Sequence, residues 1–191
     1  MERTDEEPKW EWLNPETLRS RLTNVSLYIA AYELLEDTIV ERIRDFYMTG
    51  PTYKDIFKGS DHHKDYQSQV LSKSNKANPL FASLEWLKES EAIGQKDLVA
   101  FDEDRALRNK LVHELPQVLT KGLPSELGAR FSELISLLDK IERWWIVNVD
   151  MAADPKFREE EIDHRSIIPG RILALRAMLD VASGSRTYLE D

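Results

Sequence analysis

The sequence contains no cysteine, and this absence excludes several kinds of protein. Without thiols the chain forms no disulfide and holds no zinc ion or iron–sulfur cluster through Cys ligands. A reducing compartment suits such a chain, so we expect a cytoplasmic protein. There are only 7 Gly and 8 Pro among 191 residues, with 41% hydrophobic and 32% charged residues. This balance is typical of a helix-rich globular domain and argues against a disordered chain.

Long hydrophobic runs are also missing. No uninterrupted apolar stretch approaches the roughly 20 residues that a membrane-spanning helix needs. The N-terminal residues 1–7 are charged and lack the apolar core of a secretory signal. We therefore expect a soluble protein without a membrane partner.

Basic residues are in the minority, with 26 Lys and Arg against 35 Asp and Glu and a formal net charge of −9. Proteins that coat nucleic acids gain affinity by neutralising phosphates, so this balance disfavours that class. It still permits an enzyme that gathers positive charge in one cleft, because a local field depends on placement rather than on the net charge.

Helix-start and helix-stop signals predict an all-α protein, a single bundle of about five helices. Residues 1–13 are predicted to be a polar N-terminal arm, and residues 14–191 the bundle. In the arm, Trp10 and Trp12 either dock on the bundle or offer a platform on which bases stack. The predicted helices run from about 15 to 48, from 79 to about 94, from 95 to a break at Pro116, from about 124 to 154 and from about 169 to 183.

Residues 50–78 form the least regular stretch. We predict a loop over 59–64 and one or two helical turns over 66–71. The adjacent His62 and His63 project in different directions on any regular backbone, so they make a poor metal site and are assigned to the solvated loop. Lysines that face water or contact phosphates are frequent here, at positions 54, 58, 64, 73 and 76.

The familiar cofactor and metal motifs are missing as well. The sequence has no Gly-rich phosphate loop, no H-E-x-x-H pair and no G-x-S-x-G turn. Of the four histidines only His164 has a Glu three residues before it, Glu161, whereas di-metal helix bundles require such a pair on each of two facing helices. We therefore predict no metal and no cofactor, and we assign the acidic residues of the first helix to a solvated face: Glu33, Glu36, Asp37 and Glu41.

The stretch that carries chemistry is Arg108-Asn109-Lys110-Leu111-Val112-His113. On a helix Asn109 and His113 lie on one face, whereas Arg108 and His113 are separated by about 140°. One helix alone therefore makes a loose site, and a second copy related by a two-fold axis closes the cleft with two Arg and two His.

These groups suit RNA cleavage by the neighbouring ribose hydroxyl. Histidine has an unperturbed pKa near neutrality, so a residue such as His113 can accept the 2′-hydroxyl proton or protonate the leaving oxygen. Arg108 can hold the scissile phosphate, and Asn109 can orient the imidazole or donate to a phosphate oxygen. A helix that ends just before Pro116 places His113 in its last turn, where the helix dipole favours the imidazolium.

A purely structural role fits the same residues. Asp104 and Arg108 are four residues apart and can form a surface ion pair, with His113 a hydrogen-bonded residue at the helix end. The chain is then a non-catalytic module that binds a protein partner, for which the acidic surface and Trp144-Trp145 offer an interface. An acidic protein that acts as an antitoxin or mimics DNA is a third alternative.

The motif with its helical context resembles the HEPN superfamily, whose signature is R-x-x-x-x-H, commonly with Asn after the Arg. The resemblance implies a metal-independent endoribonuclease, a homodimer in which Arg108 and His113 of both subunits line one cleft. It also implies a toxin controlled by a cognate antitoxin, or an effector of phage defence. Besides Arg108, Asn109 and His113, we expect contact with RNA phosphates from four lysines: Lys110, Lys64, Lys73 and Lys76.

Two residues depart from the family pattern. Some toxins of this family carry a Tyr two residues after the His, which a partner enzyme modifies, but this chain has Leu115 there. Pro116 behind the motif has no counterpart that we can assign, and it can reshape the cleft.

Overall fold

The computed structural model describes residues 10–49, 61–74, 78–157, 163 and 166–184. Within these ranges the regular structure is helical, without strands, so the predicted all-α class is confirmed. Apart from one three-residue turn, the described ranges hold seven α-helices, where about five were predicted. They are α1 (Pro15–Thr49), α2 (Asp61–Gln69), α3 (Pro79–Glu89), α4 (Gln95–His113), α5 (Leu115–Lys121), α6 (Leu127–Trp145) and α7 (Gly170–Ser183).

The long helix α1 is the centre of the bundle. It begins as predicted at Pro15, because the Asn14 side chain accepts hydrogen bonds from the backbone N–H groups of Glu16 at 2.9 Å and Thr17 at 3.4 Å. Its 35 residues span roughly 52 Å. Helices α2 to α7 all pack against it. Its buried side chains recur every three or four residues along one side: Val25, Tyr28, Ala31, Tyr32, Leu35, Ile39 and Ile43.

Helix α6 supplies the other large part of the core. Leu134, Leu138 and Ile141 are fully buried, and Trp145 stacks on Trp86 with ring centroids 5.7 Å apart. Beyond Trp145 the helix continues through a π-helical turn, Ile146–Asp150, into one further short turn. Trp145 therefore belongs to the core rather than to a free interface, and Trp144 packs edge-on against the same ring.

Helices α4 and α5 meet at a sharp break. Helix α4 ends at His113, and Pro116 lies in the first turn of α5, where its missing N–H costs nothing. The predicted end before Pro116 is confirmed, but the short helix α5 behind it was not expected. Val112 is 42% exposed, whereas Leu111 beside it is fully buried.

Two other expectations need correction. Helix α2 already begins at Asp61, so the loop predicted over 59–64 is wrong from that residue onward; Gly59 and Ser60 lie outside the described residues. In the N-terminal arm, Glu11–Leu13 form a single 3-10 turn against α1 and α5. Trp12 is partly buried there, but Trp10 is 67% exposed, so the expected docking of that ring is not observed.

None of the helices in the described ranges combines the length and the apolar character needed to cross a bilayer.

Candidate active site on helix α4

The motif residues lie on the C-terminal half of α4, and two buried leucines orient that half. Leu107 is 5% exposed and Leu111 is fully buried, so this side of α4 faces the core. Asn109 and His113 project to the surface as a consequence. The side chain of Arg108 is 30% exposed and lies at the edge between α4 and α1.

Arg108 is held by groups of its own chain. Its Nε donates a hydrogen bond to Oε1 of Glu33 on α1 at 3.1 Å, and its Nη2 donates to the same oxygen. Its Nη1 donates to Oδ1 of Asn109 at 3.3 Å. The guanidinium carbon also lies 5.6 Å from the ring centroid of Tyr32, a cation–π contact. The hydrogen bond to Glu33 raises the pKa of Arg108 above its usual value, so the cation is permanent.

His113 is the last residue of α4 and is exposed. Within the described part of the chain its imidazole makes no hydrogen bond to Arg108 or Asn109. The fold thus brings Arg108 and Asn109 together and leaves His113 open to solvent or to another molecule.

A second ion pair of closely similar build lies one turn further along α1. Nη2 of Arg171 on α7 is 2.7 Å from Oδ2 of Asp37, and Nη1 of Arg171 donates to the Thr38 hydroxyl. The side chains of Arg171 and Asp37 are 29% and 50% exposed, against 30% and 50% for Arg108 and Glu33. Glu33 and Asp37 are four residues apart and therefore neighbours on the surface of α1.

The ion pair expected between Asp104 and Arg108 does not form. Asp104 is fully buried, and its Oδ1 accepts a hydrogen bond from the Tyr28 hydroxyl at 3.1 Å. Nε of Arg130 lies 3.4 Å from the same oxygen, while Oδ2 has no hydrogen-bond partner among the described residues. Burial raises the pKa of Asp104 to about 6, although the Arg130 charge acts in the opposite direction. The purely structural interpretation is thus wrong in this detail, because Arg108 pairs with Glu33 of α1 instead of Asp104.

Of the predicted RNA-binding lysines, Lys110 belongs to the motif, whereas Lys64 and Lys73 lie on other elements. Lys110 is exposed and borders an open groove on the α6 side of α4, together with Glu126 and Arg130. Lys73 forms an ion pair with Glu89 at the end of α3. Helix α4 contacts α3 near its start, where Arg105 lies over the Phe81 ring. Phe81 is roughly 12 Å along α3 from Glu89, so Lys73 contacts α3 far from the place where α4 does. Lys64 is exposed on α2, and Lys76 lies outside the described residues.

Sequence reasoning missed the residue that contacts Arg108 most closely. Glu33 was assigned to a solvated acidic face, and it is half-exposed, but it also binds a cation 75 positions away. Nothing in the local pattern around either residue indicates that pairing. The acidic stripe on α1 was the only available hint.

No three His, Asp or Glu side chains of the described residues are grouped so that they could hold a metal ion. No protein-family model, no curated protein and no solved structure matches the chain.

Proposed function

We propose that this chain is a metal-independent endoribonuclease of the HEPN type, which acts as a homodimer on RNA. The observation that carries the proposal is the surface placement of the motif. A solvent-accessible imidazole ends the helix on which a permanent guanidinium cation and an amide stand one turn earlier. Transfer of a phosphoryl group to the ribose 2′-hydroxyl needs a proton shuttle and a cation for the phosphate, and it needs no cofactor.

In the proposed reaction His113 exchanges protons with the 2′-hydroxyl or the leaving 5′-oxygen. Arg108 donates to the oxygens of the scissile phosphate, and its charge offsets the charge that develops in the transition state. Asn109 holds one Nη of Arg108 and can donate from its own amide. Because Arg108 turns toward α1 while His113 stays open, a partner subunit supplies the complementary group to each.

The biological setting that we propose is a toxin with a cognate antitoxin, or an effector of phage defence in the cytoplasm. Among the proposed phosphate-binding lysines, Lys110 belongs to the motif itself, where it follows Asn109 directly and is exposed. Lys64 and Lys73 lie on other elements, so their contribution requires an RNA that extends beyond the motif, and Lys76 stays a proposed contact from the sequence.

One observation favours the alternative of a non-catalytic interaction module. The hydrogen bonds from Arg108 to Glu33 tie α4 to α1, which is what a structural arginine does. This alternative offered Trp144-Trp145 as a partner interface. The burial of Trp145, which is 1% exposed, argues against that interface.

The two functions are separated by an RNA-cleavage assay on Arg108→Ala and His113→Ala with a chelator present. The ribonuclease predicts that each variant loses cleavage by at least about 100-fold, the contribution of a general acid–base or of a charge-stabilising donor. Arg171→Ala is the control outside the motif, because it removes an arginine of nearly equal exposure that also pairs with a carboxylate of α1, although Arg171 lies 3.8 Å from the buried Glu142 as well. Cleavage that persists in both motif variants, or that the chelator abolishes, contradicts the proposal. A lowered melting temperature in Arg108→Ala, with no cleavage by any variant, supports the module.

A further inference from the structure

The guanidinium group of Arg108 offers one edge that suits an oxyanion best. Nε and Nη2 point their N–H groups in the same direction, and this edge accepts a carboxylate or a phosphate through two parallel hydrogen bonds. In the free chain both N–H groups of this edge go to a single oxygen of Glu33. Nη1 is bound to Asn109, and one face lies on Tyr32.

The Glu33 carboxylate, which occupies this edge of Arg108, can be displaced at low cost. The Glu33 side chain is 50% exposed, and the contact lies at the surface of the bundle. Exposed ion pairs contribute little to stability, because water solvates the separated charges nearly as well. A phosphodiester carries one negative charge and presents oxygens with similar geometry, so it competes with the carboxylate for the same two donors.

We propose that Glu33 is a built-in competitor of phosphate, a carboxylate that closes the oxyanion-binding edge of Arg108 until an RNA phosphodiester displaces it. This regulation rests on the proposed ribonuclease function in one respect, namely that the displacing phosphate belongs to RNA. The device keeps the motif cation neutralised in the free protein, and it weakens binding of small anions and of single phosphates. An RNA that also engages further sites gains enough affinity to open the pair.

The test compares Glu33→Gln with Asp37→Asn. Each substitution removes one negative charge from the same stripe of α1, and each leaves a neutral side chain of the same shape. Of these two carboxylates, Glu33 contacts Arg108 and Asp37 contacts Arg171. The measured quantity is the dissociation constant for a 2′-O-methyl RNA oligonucleotide, which binds but offers no 2′-hydroxyl for cleavage.

We expect Glu33→Gln to bind this RNA about two- to five-fold more tightly than the wild type, the range that an ordinary surface ion pair corresponds to. Asp37→Asn changes the dissociation constant less than that, and Arg108→Ala combined with Glu33→Gln loses the gain. Glu33→Ala is the second variant, with a thermal melt to establish that each protein is folded. Binding by Glu33→Gln and Glu33→Ala that is no tighter than binding by Asp37→Asn overturns the proposal.

Cleavage of unmodified RNA separates this proposal from the ribonuclease itself. Tighter RNA binding by Glu33→Gln, with no RNA cleavage by any variant, supports the competitor role of Glu33 and contradicts the ribonuclease function. RNA cleavage that depends on Arg108 and His113, together with weakened RNA binding by Glu33→Gln, supports the ribonuclease function and contradicts the competitor role of Glu33. In that outcome Glu33 positions Arg108 rather than competing with phosphate.

Discussion

At the scale of single residues, Asp104 is the most unusual side chain of the motif helix. Its carboxylate has 0% exposure, and one of the two oxygens has no hydrogen-bond partner among the described residues. Its pKa is raised to about 6, so the charged form that it adopts near neutral pH is disfavoured. Its folded-state pKa lies above the ordinary value. The stability it contributes is therefore fully present below about pH 3.8 and is lost as the pH rises through about 6.

Asp104→Asn should remove this dependence. The rise in pKa from 3.8 to about 6 corresponds to roughly 3 kcal/mol, an upper limit for what the uncharged amide gains at pH 8. The gain in the free energy of unfolding should shrink toward zero near pH 4, where the native Asp104 is protonated. Urea denaturation at both pH values measures it. Asp102→Asn serves as the control, since that carboxylate is 59% exposed and pairs with Arg105 at the surface. An equal effect of the two substitutions at pH 8 contradicts the assignment.

The burial of Asp104 could have been predicted, whereas the pairing of Glu33 could not. Asp104 follows Phe101 by three residues and precedes Leu107 by three, so it falls within the apolar stripe of α4. A carboxylate at such a position must be buried or must distort the helix. Glu33 gives no comparable sign, because its partnership with Arg108 depends on how α1 and α4 cross, and the local sequence does not encode that crossing.

At the scale of helices, capping chemistry was the most dependable sequence signal. Asn-Pro pairs correctly predicted the starts of α1 and α3. Helix α5 was missed, and helix α2 was predicted only in its last part, as the turns that begin at residue 66, for different reasons. Helix α5 holds only seven residues, and its Pro116 was taken as a break alone rather than also as a residue of the first turn. Helix α2 contains few apolar residues, so the pattern behind Asp61 resembled a solvated loop.

The cap of α3 supports a direct test. The Asn78 side chain accepts hydrogen bonds from the backbone N–H groups of Leu80 at 3.0 Å and Phe81 at 3.5 Å. Asn78→Ala leaves these donors to water and should lower the free energy of unfolding by about 1 kcal/mol. Asn78→Ser restores an acceptor and should stay within a few tenths of a kcal/mol of the native protein. Chemical denaturation of the three proteins measures the difference. Equal loss in both variants means that Asn78 contributes something other than a cap.

At the scale of the whole molecule, the single chain does not bring Arg108 and His113 together. The core around α1 fixes Arg108 at the α1 edge, while His113 ends α4 with its ring open to solvent. The formal charge of −9 makes two copies repel at long range, so a dimer requires a local match at the motif surface. Asn109, Val112 and His113 are exposed side by side on α4, and this surface is the one that the proposed two-fold axis must bring together.

Mixing inactive subunits tests whether the site is shared. In a heterodimer of Arg108→Ala with His113→Ala, one intact Arg108 and one intact His113 reside on different subunits. If they act across the interface, mixing and re-equilibrating the two inactive proteins should restore part of the RNA cleavage, in proportion to the heterodimer formed. Light scattering on each protein alone establishes that the substitutions leave the dimer intact. If the native protein cleaves RNA as a monomer, or if the mixed dimers stay inactive, Arg108 and His113 must instead act within one chain. The guanidinium group would then have to leave Glu33 and turn toward its own helix end.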